Sequence, residues 1–322
     1  MPTCIICGYQ HTSSTYFTAK EMMFGTRNTF TYFECEECGT VQITTVPDDL
    51  SKYYPSNYYS YHSKPVMNSP LKRFLKKERA KFVLTGRGLI GRLIQHFQPA
   101  PDILKWVKNA ALTTNSKILD VGCGAGIFLL ELQQLGFTHL QGVDPFLSND
   151  IFYDNGVKIW KKQLSDMSGS FDLIMFHHSL EHIATPHSYL ETAYRLLAPK
   201  GTVLIRIPIA GTFAWKHYGV NWVQLDAPRH LFLPTMKSMH LLAEQCGFEI
   251  FKTEFDSTVY QFWGSEQFLK DIPLNDTRSY LTNPKQSIFS EADIQTFEVR
   301  AKALNRDAQG DQACFYLRKQ EP

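Results

Sequence analysis

The 322-residue sequence has no apolar run approaching the roughly 18 residues of a membrane span; its most apolar strand-like run, TVLIRIPIAG, is broken by Arg206. Its first residues, MPTCIICGYQ, lack both the basic start and the apolar stretch of a signal peptide. These absences predict a soluble, cytoplasmic protein with no membrane span. A dominant charge is missing as well, since 33 basic side chains face 31 acidic ones. Internal repeats and low-complexity segments are absent. A composition of 43% hydrophobic and 13% aromatic residues excludes a disordered, collagenous or coiled-coil chain. The length exceeds that of one ordinary domain, so a main domain with an appendage is expected.

What is present is unevenly placed. Residues 1–50 hold two basic side chains, Lys20 and Arg27, against six acids. Residues 64–108 reverse the sign, with eleven basic side chains against Glu78 and Asp102. Four of the seven cysteines form two pairs, Cys4-x-x-Cys7 and Cys35-x-x-Cys38, each followed by a glycine, Gly8 or Gly39. A two-residue spacer lets both thiolates of a pair reach one ion, and the glycine permits a turn whose N–H groups point at sulfur. In a reducing compartment two such knuckles predict structural Zn(2+) on Cys4, Cys7, Cys35 and Cys38. The strand-like stretches between them, TFTYFE and TVQITTV, place this zinc ribbon at 1–46. The ribbon is acidic, which disfavours nucleic acid as its partner.

Residues 47–112 read as a Tyr-rich and basic helical linker or cap. SPLKRFLKKERAKFVL predicts a helix with Ser69 as cap, Pro70 in first position, and Leu71, Phe74, Leu75 and Phe82 on one side. Its cationic face suits an anionic substrate, RNA or an anionic membrane surface. Tyr53, Tyr54, Tyr58, Tyr59 and Tyr61 could line a pocket, with Tyr58 and Tyr59 the tentative substrate contacts. From about 113 to 322 strands alternate with helices: KILDVG, HLQGVD, FDLIMF and TVLIRIP as strands, AGIFLLELQQLG and SYLETAYRLLAP as helices. The expected class is α/β, a Rossmann-like, doubly wound, mainly parallel sheet with the small N-terminal ribbon beside it. Region 256–290 carries no legible chemistry and should precede a last strand near ACFYLRK.

The turn KILDVGCGAGIF joins a strand to a helix and presents Asp120, Gly122, Cys123, Gly124 and Gly126. Glycines there let a ligand approach the backbone at a helix N-terminus. The spacing is G-x-G-x-G rather than the dinucleotide fingerprint, and the next acid at a strand end, Asp144, suits the two hydroxyls of a ribose. The stretch resembles motif I of class I S-adenosylmethionine-dependent methyltransferases. GSFDLIMFHHSLEHIATPHSYL resembles the family's fourth strand and its Leu-Glu-His turn, and LLAPKGTVLIRIP its fifth. WVQLDAPRHLFLP resembles a segment of one bacterial subfamily often associated with polysaccharide or small-molecule modification. Sugar methyltransferases of antibiotic pathways are similar in joining a zinc module to this fold.

The resemblance covers about 113–255. It implies that Gly122, Cys123 and Gly124 border the amino-acid part of the cofactor, S-adenosyl-L-methionine, and that Asp144 binds its ribose. Leu164 would sit against adenine, and His177 and His178 at the sulfonium. Methyl transfer needs an aligned nucleophile and a base, and histidine titrates nearest neutral pH. The candidates are His178, His182 and His230, while Arg229 could hold an anionic substrate or pair with Asp226. The expected activity is methylation of a sugar, glycan precursor or related small metabolite. An RNA methyltransferase, and a non-catalytic methyltransferase-like binding protein, are the alternatives.

Overall fold

The computed structural model describes residues 2–10, 15–55 and 68–320. The N-terminal strands β1 (Tyr16–Lys20), β2 (Thr29–Glu34) and β3 (Val41–Ile43) form an antiparallel ribbon. Helix α1 (Pro70–Thr85) starts where its sequence predicts, Ser69 accepting a hydrogen bond from the Lys72 N–H with Pro70 behind it. It is followed by α2 (Leu89–Phe97) and α3 (Asp102–Asn109). α3 buries Ile103, Leu104, Trp106 and Val107 in the same cluster as strand residues Ile118, Leu173 and Met175. Helix α3, expected within the linker, therefore packs into the main core.

The core elements follow in order: β4 (Lys117–Val121), α4 (Ile127–Gln134), β5 (His139–Val143), β6 (Ile151–Phe152), β7 (Lys158–Trp160) and β8 (Phe171–His177). Next come α5 (Pro186–Leu196), β9 (Leu197–Pro208), α6 (Phe213–Tyr218), β10 (Phe232–Leu233), α7 (Met236–Gln245) and β11 (Phe248–Phe255). The chain ends with α8 (Tyr260–Leu269), α9 (Glu291–Arg306) and β12 (Gln312–Lys319). Eight strands make one sheet in the order β11-β12-β9-β8-β4-β5-β7-β6. β7, β5, β4, β8 and β9 run parallel, whereas β12 and β6 are antiparallel to their neighbours. The expected doubly wound, mainly parallel sheet is present.

Both faces of this sheet are covered, which is why its strands read as apolar runs. Leu119, Val121, Ile174 and Phe176 pack with Leu190 of α5 and Leu242 of α7 on one side. Ile118, Leu173 and Met175 pack with α3 and α4 on the other. After β4 the chain winds outward to β5 and β7, then returns to place β8 on β4's free side. That reversal of direction puts a crevice at the carboxyl ends of β4 and β8, where open α/β sheets hold ligands.

The ribbon is built into this body and is not a free appendage. β10, from the DAPRHLFL segment, pairs with β3, Phe232 opposite Gln42 and Leu233 opposite Val41, so the ribbon sheet has four strands. Region 256–290 docks against the ribbon, Leu274 donating its N–H to the Met22 carbonyl and Arg27 pairing with Asp271 at 3.0 Å.

Candidate active site

At the ribbon, Cys4 and Cys38 have their Sγ atoms 3.6 Å apart and Cys7 and Cys35 theirs 3.5 Å apart. All four lie within 4.8 Å of one another. Four tetrahedral ligands at the usual zinc–sulfur length of about 2.3 Å would stand about 3.8 Å apart, so the donor set fits one zinc ion. Gly8 and Gly39 both adopt positive φ, and their N–H groups bond to the Cys4 and Cys35 carbonyls. Thr235, capping α7, donates its hydroxyl to the Cys38 carbonyl at 2.7 Å. The second knuckle is thereby tied to the main domain.

At the crevice, the turn after β4 is as crowded as its glycines predict. A side chain on Gly126, at φ +80°, would meet Ile159 Cδ1 at 2.2 Å, and one on Gly122 would meet Ser179 Cβ at 2.6 Å. Cys123 rests against Gly142 of β5, where a Cβ would lie 2.4 Å from its sulfur. Burial raises its pKa well above the usual thiol value, so it packs as a neutral thiol.

Asp144 leaves the end of β5 and accepts N–H groups from Gly124 and Phe146, each at 2.9 Å. These bonds aim the carboxylate along the turn, and each oxygen keeps a lone pair for a hydroxyl donor. Asp120 points from β4 to the face it shares with Met175 and His177, because register partners and alternate residues share a face. It is buried, and its Oδ1 has no hydrogen-bond partner among the described residues. Burial first, and the neighbouring Asp144 charge second, push its pKa up to about 8. At neutral pH it is mostly an uncharged acid.

β8 ends in His177 and His178, which face different ways. His177 lies between Trp106 and Phe128, its ring centroid 4.5 Å and 4.4 Å from theirs. Neither of its ring nitrogens has a partner among the described residues, and burial lowers its pKa well below the usual value, so it is neutral. His178 sits at φ +48°, a conformation that non-glycine residues reach at a cost of order 1–3 kcal/mol and that clusters at functional sites. Its Nε2 accepts from Arg206 at 2.7 Å, leaving Nδ1 to donate to Glu181 at 3.3 Å. Arg206 also donates to Asp256 at 2.6 Å and lies over the Trp106 ring.

His182 and His230 come together from distant segments, their rings 4.7 Å apart. His230 Nδ1 donates to the Gln224 carbonyl at 2.7 Å, and His182 Nδ1 to the Arg229 carbonyl at 2.8 Å. In the neutral form of either ring the lone pair is therefore on Nε2. His230 Nε2 is 3.8 Å from Glu181 Oε1 and 4.0 Å from Asp226 Oδ2. Glu181 is fully buried, and its Oε2 has no partner among the described residues. Glu181, His182 and His230 each bring a ligand-type atom within 4.8 Å of the others, a group able to accept a proton or hold a cation. Burial lowers the His182 pKa to about 4. Burial pushes Glu181 up, but the His178 hydrogen bond and the His230 charge hold it below the usual carboxylate range. At neutral pH Glu181 is thus a carboxylate beside the neutral imidazole of His182.

The structure also places residues that sequence patterns alone do not mark. The Tyr54 hydroxyl lies 3.0 Å from His182 Nδ1, and its ring stacks on Phe146 at 6.4 Å, bridging the cluster to the Asp144 turn. The only local hint was the run of tyrosines, within which Tyr58 and Tyr59 lie outside the described residues. Arg229 is not placed to hold a substrate. It is fully buried and donates to Asp226 at 2.9 Å and to Glu21 of the ribbon at 3.1 Å, so its charge is matched inside the protein. Leu164, expected against adenine, is buried in the core with Val143 and Phe176. It opens the helical turn Leu164–Asp166.

With this geometry in view, the methyltransferase domain profile matches residues 93–253. The chain belongs to the methyltransferase domain family. It is 35% identical over 137 residues to a ubiquinone biosynthesis O-methyltransferase of Nitrosococcus oceani, covering 37% of this chain and 58% of that protein. A Pseudomonas aeruginosa protein of the same name is 30% identical, over 37% of this chain and 59% of that one. The match thus spans less than two thirds of these relatives. Among solved structures, the cyclopropane synthase MmaA2 of Mycobacterium tuberculosis is 16% identical over 68% of this chain and 83% of its own, with a TM-score of 0.43. The match of this methyltransferase domain begins at 93, before α3, in accord with α3 being part of the core.

Proposed function

We propose that the chain transfers a methyl group from S-adenosylmethionine to a hydroxyl of a sugar, glycan precursor or related small metabolite, with zinc held structurally by Cys4, Cys7, Cys35 and Cys38. The observation that carries this reading is the convergence of two acids, Asp120 and Asp144, on the glycine turn beside a carboxylate–imidazole cluster. Asp144, fixed by the Gly124 and Phe146 N–H groups, accepts the ribose hydroxyls. Gly122, Cys123, Gly124 and Gly126 bring the backbone close, and Asp120 and His177 border the amino-acid end. When bound, the cofactor supplies an electrophilic methyl carbon on a sulfonium, whose departure needs no acid.

The protein's own work is alignment and proton removal. His230 takes the acceptor's proton on Nε2 as oxygen attacks, and Glu181 stabilises the imidazolium that forms. His182, kept neutral by burial, and the Tyr54 hydroxyl orient the acceptor. His178, with both nitrogens engaged, positions Glu181 and Arg206. The named activity of the ubiquinone-pathway relatives is O-methylation, which supports oxygen as the acceptor atom.

Titration with S-adenosylhomocysteine should show saturable binding that Asp144→Ala abolishes. His230→Ala should keep that binding while lowering turnover on a polyhydroxylated acceptor panel by roughly 10²–10⁴-fold. No binding to the intact chain would remove the cofactor assignment, and unchanged turnover in His230→Ala would remove the base.

Asp120 makes binding pH-dependent. In the free protein it holds a proton up to about pH 8. A cationic ammonium beside it favours the ionised form, so complex formation at pH 7 should release a proton. Affinity should then rise with pH, by up to about tenfold per unit, and level off above pH 8. Calorimetry in two buffers of different ionisation enthalpy reads the released proton directly; an Asp120→Asn variant should release none.

A further inference from the structure

The hairpin α1–α2 carries an apolar surface that is exposed among the described residues. On α2, Leu89, Leu93 and Phe97 recur at every fourth residue and are 84%, 62% and 77% exposed, with Ile90 beside them. Gly91 marks the opposite, buried side: a Cβ there would lie 2.2 Å from the Glu78 carbonyl oxygen of α1, so α2 packs through its glycine and turns its large apolar residues outward. The first turns of α1 add Leu71, Phe74 and Leu75, all exposed. These three were expected on an apolar side of the helix, and they do share one, but it faces solvent.

The charge on the hairpin is mostly of one sign. Lys72, Arg73, Lys77, Lys81, Arg87 and Arg92 are exposed on the same hairpin, and Glu78 is its one acid. An exposed apolar stripe rimmed by Lys and Arg matches an anionic lipid surface, where the apolar residues enter the acyl boundary and the cations meet headgroups. A second copy of the hairpin would bring these like charges together, so charge disfavours self-association as the way to cover the stripe.

We propose that the α1–α2 hairpin docks the protein peripherally on anionic bilayers. The inference rests on exposure and charge at the hairpin, independently of the methyl-transfer reading.

The test is co-sedimentation of the full chain with phosphatidylcholine vesicles and with vesicles containing about one third phosphatidylglycerol. Binding should require the anionic lipid and fall as salt is raised, each basic residue near the surface contributing roughly fivefold at low salt. L93E/F97E should lower binding at least tenfold, and K72E/K77E/K81E should also weaken it, with S-adenosylhomocysteine affinity and melting temperature unchanged in both. Equal binding to both vesicle types, or full binding by L93E/F97E, overturns the proposal. A concentration-dependent dimer that L93E/F97E dissociates, with no vesicle binding at low salt, also overturns it and assigns the stripe to a second copy.

Discussion

Replacing Arg229 by methionine should destabilise the protein by about 3–5 kcal/mol, because it leaves buried carboxylates without their cation. The guanidinium is fully buried, and two acids from different parts of the chain, Asp226 and Glu21, converge on it. Glu21 is held independently by the Met23, Phe24 and Thr26 N–H groups and the Thr26 hydroxyl, so it cannot swing out to water. Arg229→Lys keeps the charge but loses the planar fork, and should recover part of the loss. Urea unfolding of the three proteins is the measurement, and a loss under 1 kcal/mol for methionine would show that the pairing is not what holds the ribbon down. The double variant Glu21→Gln, Arg229→Met should lose less in total than the two single losses added together, since the second change removes a carboxylate whose cation is already gone.

Stripping the ion proposed for the four cysteines should have the other large effect. Structural zinc binding is worth about 10–16 kcal/mol in small zinc modules, and that free energy is folding free energy. The strand β3, just after Cys38, is hydrogen-bonded to β10, and His230 lies two residues before β10. Metal loss should therefore release the segment that presents His230, lowering methyl transfer about as far as His230→Ala does. Cofactor binding rests on the β4 and β5 turns and should change less than tenfold. One zinc per chain in the purified protein, release by a chelator after mild denaturation, and separate assays of turnover and S-adenosylhomocysteine binding check each link. Freshly purified active protein without metal would defeat this account.

Local signals were readable where the physics is local. Ser69 and Pro70 announce α1, paired cysteines with glycines announce the clustering of four thiols, and the glycines of the Asp120–Gly126 segment announce a tight strand-to-helix turn. Arg229 illustrates the opposite case: Asp226 is visible three residues away, but Glu21 reaches it only through the fold. The His182–His230 contact likewise depends on two loops meeting. α1 misleads in another way, since an apolar side made by Leu71, Phe74 and Leu75 says that a face is apolar without saying whether the protein covers it. Tyr54 was marked only by company, and its stacking on Phe146 is what singles it out.

The pairing of β3 with β10 also has a consequence for how the chain comes to be folded. The N-terminal sheet cannot be completed until Leu233 has been synthesised, so the emerging ribbon carries an open strand edge and an acid, Glu21, whose cation is not yet made. Closing that long loop is slow relative to local helix formation. Truncated chains ending before residue 226 should for this reason aggregate through the β3 edge, and the first forty-six residues expressed alone should make a poor surrogate for the ribbon.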